Sequence, residues 1–344
     1  MKAAFLDKAN DISLRDIPIP KYSQDEVLIN IKAIGICGSD LHFYKNGKMG
    51  SSIIKEPLIL GHECSGVIEA IGKNVENLEV GDRVAIEPCI PCYKCNYCKA
   101  GKYHLCDKLV FMGAAPTSHG AFTEYIKYDP NFVFKISSEV SFEDAAAVEP
   151  LSVGFNSAIK VGIRPGSNVC IIGFGPIGFA CLEMSKIMGA SKIFVSDISD
   201  FRLNIAKEHG AYCIINARRE NLIEKIRDLT NGEGIECVIE TAGHERTLIQ
   251  SLEIVKKDGK IGWLSVVDKD MITIPYFGII LNDITIEGIH LYTNTYKPII
   301  DLLESKRINL SNWVTNRFKI DDIVEAFKVA SDSNIDKMKI IINT

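Results

Sequence analysis

Ten residues, Val169 to Gly178, constrain this chain more than any other stretch. They read VCIIGFGPIG, a short apolar run that ends directly in Gly173-Phe174-Gly175-Pro176-Ile177-Gly178. An apolar run of that length stopped by glycine predicts a buried parallel strand. The three glycines are those that a strand–turn–helix unit needs around a pyrophosphate. Gly173 allows the tight turn, Gly175 lets the backbone approach a phosphate, and Gly178 lets the next helix pack closely on the strand. A helix over 179–188 would aim its free N–H groups and positive dipole end at that phosphate. A second strand, 192–196, ends in Asp197, roughly twenty residues on, where such folds place the acid that binds ribose hydroxyls. A glycine-rich turn alone is common. Strand before, helix after and acid at this distance together predict dinucleotide binding.

The rhythm on either side sets the domains. From about 155, strands near 169, 192, 236 and 260 alternate with helical stretches 202–209, 222–229 and 245–256, and Ile284-Thr285-Ile286 reads as a last strand. That alternation predicts an α/β domain with a doubly wound parallel sheet. Earlier, the runs 27–33, 65–71, 83–86 and 121–126 read as short strands punctuated by Gly and Pro. Later, 297–304 and 321–330 read as helices and 339–342 as a closing strand. A chain of 344 residues exceeds one ordinary core. The expected arrangement is a mostly-β first domain over 1–154, a nucleotide domain over 155–285, and a return to the first domain over 286–344.

Charge and composition exclude several classes. A net charge of −5 argues against a general nucleic-acid binder, which is usually basic. No apolar run approaches the roughly twenty residues that cross a bilayer. The opening Met1-Lys2-Ala3-Ala4-Phe5-Leu6-Asp7-Lys8 meets charge too early for a signal peptide, so a cytoplasmic protein is expected.

Of eleven cysteines, five crowd between Cys89 and Cys106, and in a cytosolic chain such clustering points to metal rather than disulfides. Cys92-x2-Cys95-x2-Cys98-x7-Cys106 offers four thiolates within fifteen residues. A closed set of four cysteines suits a structural zinc in a lobe at about 88–108. The lysines around it (Lys94, Lys99, Lys102, Lys108) read as a solvated surface. Cys89 is given no role, and Cys64, Cys170, Cys181, Cys213 and Cys237 read as small core residues. Ligand chemistry occurs at three further places: Cys37 in GICGSDLH, His62-Glu63 in GHECSG, and Glu149 in EPLSVG. A catalytic zinc needs about three protein ligands and an open position. Separated loops carrying thiolate, imidazole and carboxylate can supply them, although spacing alone is weak support.

GICGSD, GHE-x-x-G, the four-cysteine run, EPLSVG and the later G-x-G-x-x-G together resemble the zinc-dependent medium-chain alcohol dehydrogenases, over essentially the whole chain. Cys37 through Gly50 and Glu149 through Gly154 are most similar to the sorbitol (L-iditol)/xylitol dehydrogenase-like branch. The resemblance implies a GroES-like catalytic domain around a Rossmann domain, and two zinc ions per chain. It matches Cys37 and His62 to catalytic zinc ligands, with Glu63 or Glu149 completing the shell. It matches Asp40 to an acid orienting the ligand histidine, and Ser39 and His42 to a proton relay. Gly173, Gly175, Pro176, Ile177, Gly178, Asp197 and Thr241 match cofactor-binding positions. Arg202 matches a residue that stacks on adenine. Asp197 favours NAD over NADP, because an acid there repels a 2′-phosphate.

The implied reaction oxidises a secondary alcohol of a polyol. Phe111 and Tyr292 would wall the substrate pocket together with Phe43. Phe43 and Leu291 replace polar groups common in the polyol branch, which keeps a smaller diol such as 2,3-butanediol as an alternative. Threonine is a further alternative, with no evident amino-acid clamp. An NAD-binding structural or regulatory protein is the alternative of another class. The resemblance also implies a homo-oligomer, with a tetramer favoured, joined near Ile284–Ile286.

Overall fold

The structure, a computed structural model, describes residues 1–50, 52–114, 118–267 and 271–344. Two compact units divide the chain: Met1–Glu149 with Thr293–Thr344, and Pro150–Tyr292.

The first unit is organised on the strand Val27–Gly35, which is buried along nearly its whole length. It pairs antiparallel with Glu63–Ile71 from Val27 opposite Ile71 to Gly35 opposite Glu63. Its other edge is shared. Tyr125–Tyr128 covers its beginning, and Lys339–Asn343 covers its end, with Ile341 opposite Gly35. Arg83–Ile86, Val133–Lys135 and Val314–Lys319 complete a seven-stranded sheet. Gly35 therefore lies between Glu63 on one side and the C-terminal strand on the other. The helix Gly38–Asn46 follows at once, with Cys37 as its N-cap residue and Asp40 closing the capping box. It turns Asp40, Phe43 and Tyr44 inward.

The apolar run 121–126 is only partly strand: the strand proper is Tyr125–Tyr128, and before it Thr123 makes an isolated bridge to Ala3. Ala121 and Phe122 are fully buried, and their N–H groups donate to the carbonyls of Gly61 (2.9 Å) and Leu60 (3.0 Å). Those residues belong to the unit's main apolar cluster and are held by isolated backbone bonds instead of a strand ladder.

The second unit is a six-stranded, all-parallel sheet. Its spatial order is Cys213–Asn216, Lys192–Asp197, Asn168–Ile172, Ile235–Glu240, Val255–Trp263, Thr285–Gly288. The strand order reverses between Asn168–Ile172 and Ile235–Glu240, and in open α/β sheets ligands bind beyond the carboxyl ends of strands at such a point. The glycine-motif helix spans Pro176–Ile187, three residues earlier than the apolar pattern indicated. Pro176 opens it at a position where a missing N–H leaves no helical bond unmade. The helix after Glu245 ends at Ile254, and Val255 already belongs to the next strand. All eleven cysteines are free; Cys64, Cys170, Cys181 and Cys237 are buried as expected of core residues, whereas Cys213 on the edge strand is half-buried. Among the described residues no helix is long and apolar enough to cross a membrane.

Candidate metal centres and nucleotide site

The four-cysteine run folds onto itself. Ligand atoms of Cys92, Cys95, Cys98 and Cys106 all lie within 4.8 Å of one another. Backbone N–H groups point at the sulfurs: Cys98 N donates to Cys95 Sγ (3.5 Å), Cys92 N to Cys106 Sγ (3.2 Å) and Lys108 N to the same sulfur (3.4 Å). The backbone N–H of Lys94, then that of Cys95, pulls the Cys92 thiol down to about 6. Four thiols at ligating separation, with donors that favour the thiolate, fit a closed tetrahedral zinc site.

The second centre is assembled from distant segments. Cys37 follows the strand Val27–Gly35, and His62 and Glu63 stand at the start of the strand paired with it. Their ligand atoms also lie within 4.8 Å of one another. Asp40 holds the two segments together: one carboxylate oxygen accepts from Cys37 N (2.9 Å) and the other from Gly61 N (3.1 Å). It stands 3.8 Å from His62 Nδ1, beyond hydrogen-bond range, so it acts on the imidazole by charge. His62 Nδ1 is buried without a hydrogen-bond partner. Burial pulls the His62 pKa down, but the charges of Asp40 and Cys37 outweigh it and push it up to about 10. A pocket that gathers a thiol, an imidazole and a carboxylate at ligating separation suits a divalent cation.

The other expected site residues divide into those near this centre and those elsewhere. Ser39 Oγ is 3.4 Å from His62 Nε2, and His42 lies one turn further along the same helix. The Phe111 ring packs against His62, with centroids 5.0 Å apart. Glu149 is buried in the first turn of Val148–Lys160, and its charge acts on His62, but it is not in the mutual set of three. Phe43 is a core residue of the first unit, packed in its main apolar cluster instead of lining an open wall. Tyr292 is fully buried at the end of the second unit.

In the second unit the three glycines differ in just the way their expected roles require. Gly173 has φ +90°, where a Cβ would meet Ala242 N at 2.8 Å. A Cβ on Gly178 would stand 2.2 Å from Gly173 O. Around Gly175 only the Arg202 guanidinium comes near, at 3.9 Å, so this backbone lies open to a ligand. Asp197 ends its strand and accepts from Phe174 N (2.6 Å) and Ser199 N (2.9 Å), tying the acid to the glycine turn. Thr241 donates to Gly173 O (2.7 Å), closing the turn from the neighbouring strand.

This arrangement has many relatives. The alcohol dehydrogenase GroES-like domain family matches residues 23–138, and the zinc-binding dehydrogenase family matches 176–305. A sorbitol dehydrogenase of Bacillus subtilis is 39% identical over 99% of this chain and 97% of its own. The chain belongs to the zinc-dependent medium-chain alcohol dehydrogenases, in their sorbitol dehydrogenase-like branch. Among solved structures, 2R,3R-butanediol dehydrogenase from Bacillus subtilis superposes with a TM-score of 0.91, at 29% identity, covering 100% of this chain and 99% of that one. An Escherichia coli CFT073 short chain alcohol dehydrogenase complexed with NADH gives 0.92 at 28% identity, with the same coverage.

This dehydrogenase is thus a GroES-like domain with a Rossmann sheet, an oxidoreductase acting on CH–OH groups with zinc and NAD. Two residues at its metal centre escaped the sequence reading. Lys339 is fully buried and donates to both Glu63 oxygens. Gly35 has Glu63 lying across it. Lys339 sits in an ordinary apolar strand pattern, KIIIN, 276 positions from its partner. The one available signal was a lysine at a strand position whose neighbours are all core residues.

Proposed function

We propose that this dehydrogenase oxidises a secondary hydroxyl of a polyol, of the sorbitol, xylitol or L-iditol type, to the ketose while NAD+ takes the hydride. The observation that carries the reading is full-length similarity, at 39% identity, to a protein named sorbitol dehydrogenase, with Cys37, His62 and Glu63 at ligating separation. Residues 1–154 and 286–344 form the catalytic domain and 155–285 the nucleotide domain in this reading. One zinc is held by Cys92, Cys95, Cys98 and Cys106, and a second by Cys37 and His62 with Glu63 or Glu149. Zinc at the second centre supplies Lewis acidity that lowers the pKa of a hydroxyl, and NAD supplies the hydride acceptor. Ser39 takes the hydroxyl proton and His42 passes it to solvent by acid–base transfer. Their spacing on one helix face and the 3.4 Å separation of Ser39 from His62 support that relay. Asp40 keeps the two ligand segments in register through its backbone bonds, and Phe111 packs the imidazole against rotation.

On the nucleotide side, Gly173, Gly175 and Gly178 with Pro176 and Ile177 cradle the pyrophosphate, Asp197 takes the ribose hydroxyls, Arg202 covers the adenine and Thr241 fixes the turn. A smaller diol such as 2,3-butanediol is the second reading, favoured by Leu291 at a position where the polyol branch commonly carries a polar group and by the likeness to 2R,3R-butanediol dehydrogenase. Assembly as a homo-tetramer rests on the edge strand Thr285–Gly288, beside which Phe277 and Leu281 are exposed. Eleven free cysteines support a reducing, cytoplasmic setting.

The test is NADH formation by zinc-loaded protein with sorbitol, xylitol, 2,3-butanediol and threonine, each with and without a chelator. Chelator-sensitive turnover of sorbitol or xylitol is the expected result. Turnover of butanediol alone would move the substrate while keeping the chemistry, and silence throughout would sink the proposal.

A further inference from the structure

Glu240 is fully buried at the carboxyl end of the strand Ile235–Glu240, and no step of the proposed reaction uses it. A buried carboxylate persists where donors satisfy it. Here there are four, drawn from three segments. Oε1 accepts from Ala242 N (2.9 Å) and Gly243 N (3.0 Å) in the turn that follows, and from the Thr247 hydroxyl (2.7 Å) at the start of the helix Glu245–Ile254. Oε2 accepts from the Ser265 hydroxyl, just beyond the strand Val255–Trp263. One side chain thus fastens together the 241–243 turn, the helix behind it and the end of the neighbouring strand. The packing leaves that turn little freedom. A Cβ on Gly243 would stand 2.9 Å from Val266 O, and one on Gly173 would stand 2.8 Å from Ala242 N. The turn is wedged between the glycine motif and residues 265–266.

Glu240 stands where the strand order reverses. Asn168–Ile172 pairs on one side with the strand that ends in Asp197, and on the other with the strand that ends in Glu240. A dinucleotide crosses the sheet at such a point, with its pyrophosphate at the glycine turn. With the adenosine ribose held at Asp197, the nicotinamide half extends over the side that ends in Glu240. The turn there is not built for phosphate. All three of its amides are engaged, Thr241 N with Ile172 O (2.8 Å) and the other two with the carboxylate, whereas an anion needs free N–H groups. It suits the hydroxyl- and amide-bearing nicotinamide riboside. We propose that Glu240 is a positioning residue for the cofactor: its ties fix the surface on which the nicotinamide half rests, while the adenosine half is held separately at Asp197. The proposal rests on reading Asp197 as the ribose-binding acid. Exact placement matters most at the nicotinamide end, because the reacting carbon is there.

The experiment measures NADH binding by fluorescence and AMP binding by calorimetry on the full-length wild type and variants. AMP reports the adenosine half alone. Glu240→Ala leaves four donors without their acceptor and should weaken NADH binding about tenfold or more. Its AMP affinity should stay within about twofold of wild type, since sites with no shared partners act independently. In Glu240→Gln the amide oxygen can accept from the turn and Thr247 while its NH2 donates to the Ser265 oxygen, so NADH affinity should stay within about threefold of wild type. Equal weakening of NADH and AMP in Glu240→Ala would overturn the proposal and leave the carboxylate a general support of the fold. Unchanged NADH affinity in that variant would overturn it as well. So would a loss in Glu240→Gln as large as in Glu240→Ala, because charge would then outweigh the ties. If Glu240→Ala does not fold, Ser265→Ala decides: with one tie cut, NADH should weaken about threefold and AMP should not change. Asp197→Ala should weaken AMP about tenfold or more. AMP affinity kept in that variant would overturn the placing of the two cofactor halves, and this inference with it.

Discussion

Cys92, Cys95, Cys98 and Cys106 come from fifteen consecutive residues and bring their own backbone donors. Cys37, His62 and Glu63 come from two strand ends, are braced by Asp40, and lean on a lysine from a third strand. The first centre is local: its geometry needs only its own loop, and all four candidate ligands are of one kind. The second is tertiary: its mixed ligands have the right spacing only after the sheet has formed, and its charge is tuned from outside the ligand set. A site that must only hold a metal can be closed and self-contained. A site that must exchange partners needs groups behind the ligands.

Substitutions should separate the two centres most sharply in chemistry. Cys37→Ala or His62→Ala should lower kcat/KM by at least about 10³-fold, with little change in melting temperature. Loss of activity below tenfold would remove these residues from the reacting centre. Cys98→Ser should do the reverse. Melting should fall by about 5–10 °C and one zinc be lost by elemental analysis, while kcat at low temperature stays within about tenfold of wild type. A Cys98→Ser protein of normal stability and abolished turnover would erase the distinction drawn between the centres.

A smaller effect probes how the lobe is fastened. Tyr103, inside the lobe, donates to Glu87 Oε1 at 2.7 Å and accepts from Asn294 N at 2.9 Å. Burial pushes the Glu87 carboxyl up to about 7, against about 4.3 for an unfolded glutamate. The folded state therefore binds this proton more tightly than the unfolded one. Stability is highest below the unfolded value and is lost as pH rises toward 7. The full cost, roughly 3–4 kcal/mol, is in place by pH 8. Glu87→Gln should accordingly raise the melting temperature at pH 8, with the gain shrinking toward zero near pH 4. A gain equal at both values would show that the carboxyl does not titrate in this range.

The same contrast explains what could be read from the chain beforehand. Motifs whose function lies in their own spacing were legible: the Gly173–Gly178 turn, the cysteine run, Asp197 at the end of the next strand. The alternation from 155 onward gave the parallel sheet, since each strand and helix there has a period of its own. Residues that act across the fold were not. Nothing near Gly35 announces that it must admit a carboxylate from the neighbouring strand, and Lys339 looks like a surface lysine closing an apolar run. Ala121 and Phe122 misled in the opposite sense, since core burial outside a ladder imitates a strand. Phe43 was assigned to a pocket from its place in a motif, whereas its helix face turns it into the core.

The distance between Glu63 and Lys339 along the chain also has a meaning in time. A ribosome adds about 5–20 residues per second. The 276 positions between them thus correspond to roughly a quarter of a minute to a minute of synthesis. Throughout that interval the segments carrying Cys37 and Glu63 exist without the strand and the ammonium that complete them. Until then the Glu63 carboxylate lacks the cation with which it pairs in the folded chain. Delivery of that strand ends the interval, so this buried ion pair can form only after Lys339 has been made.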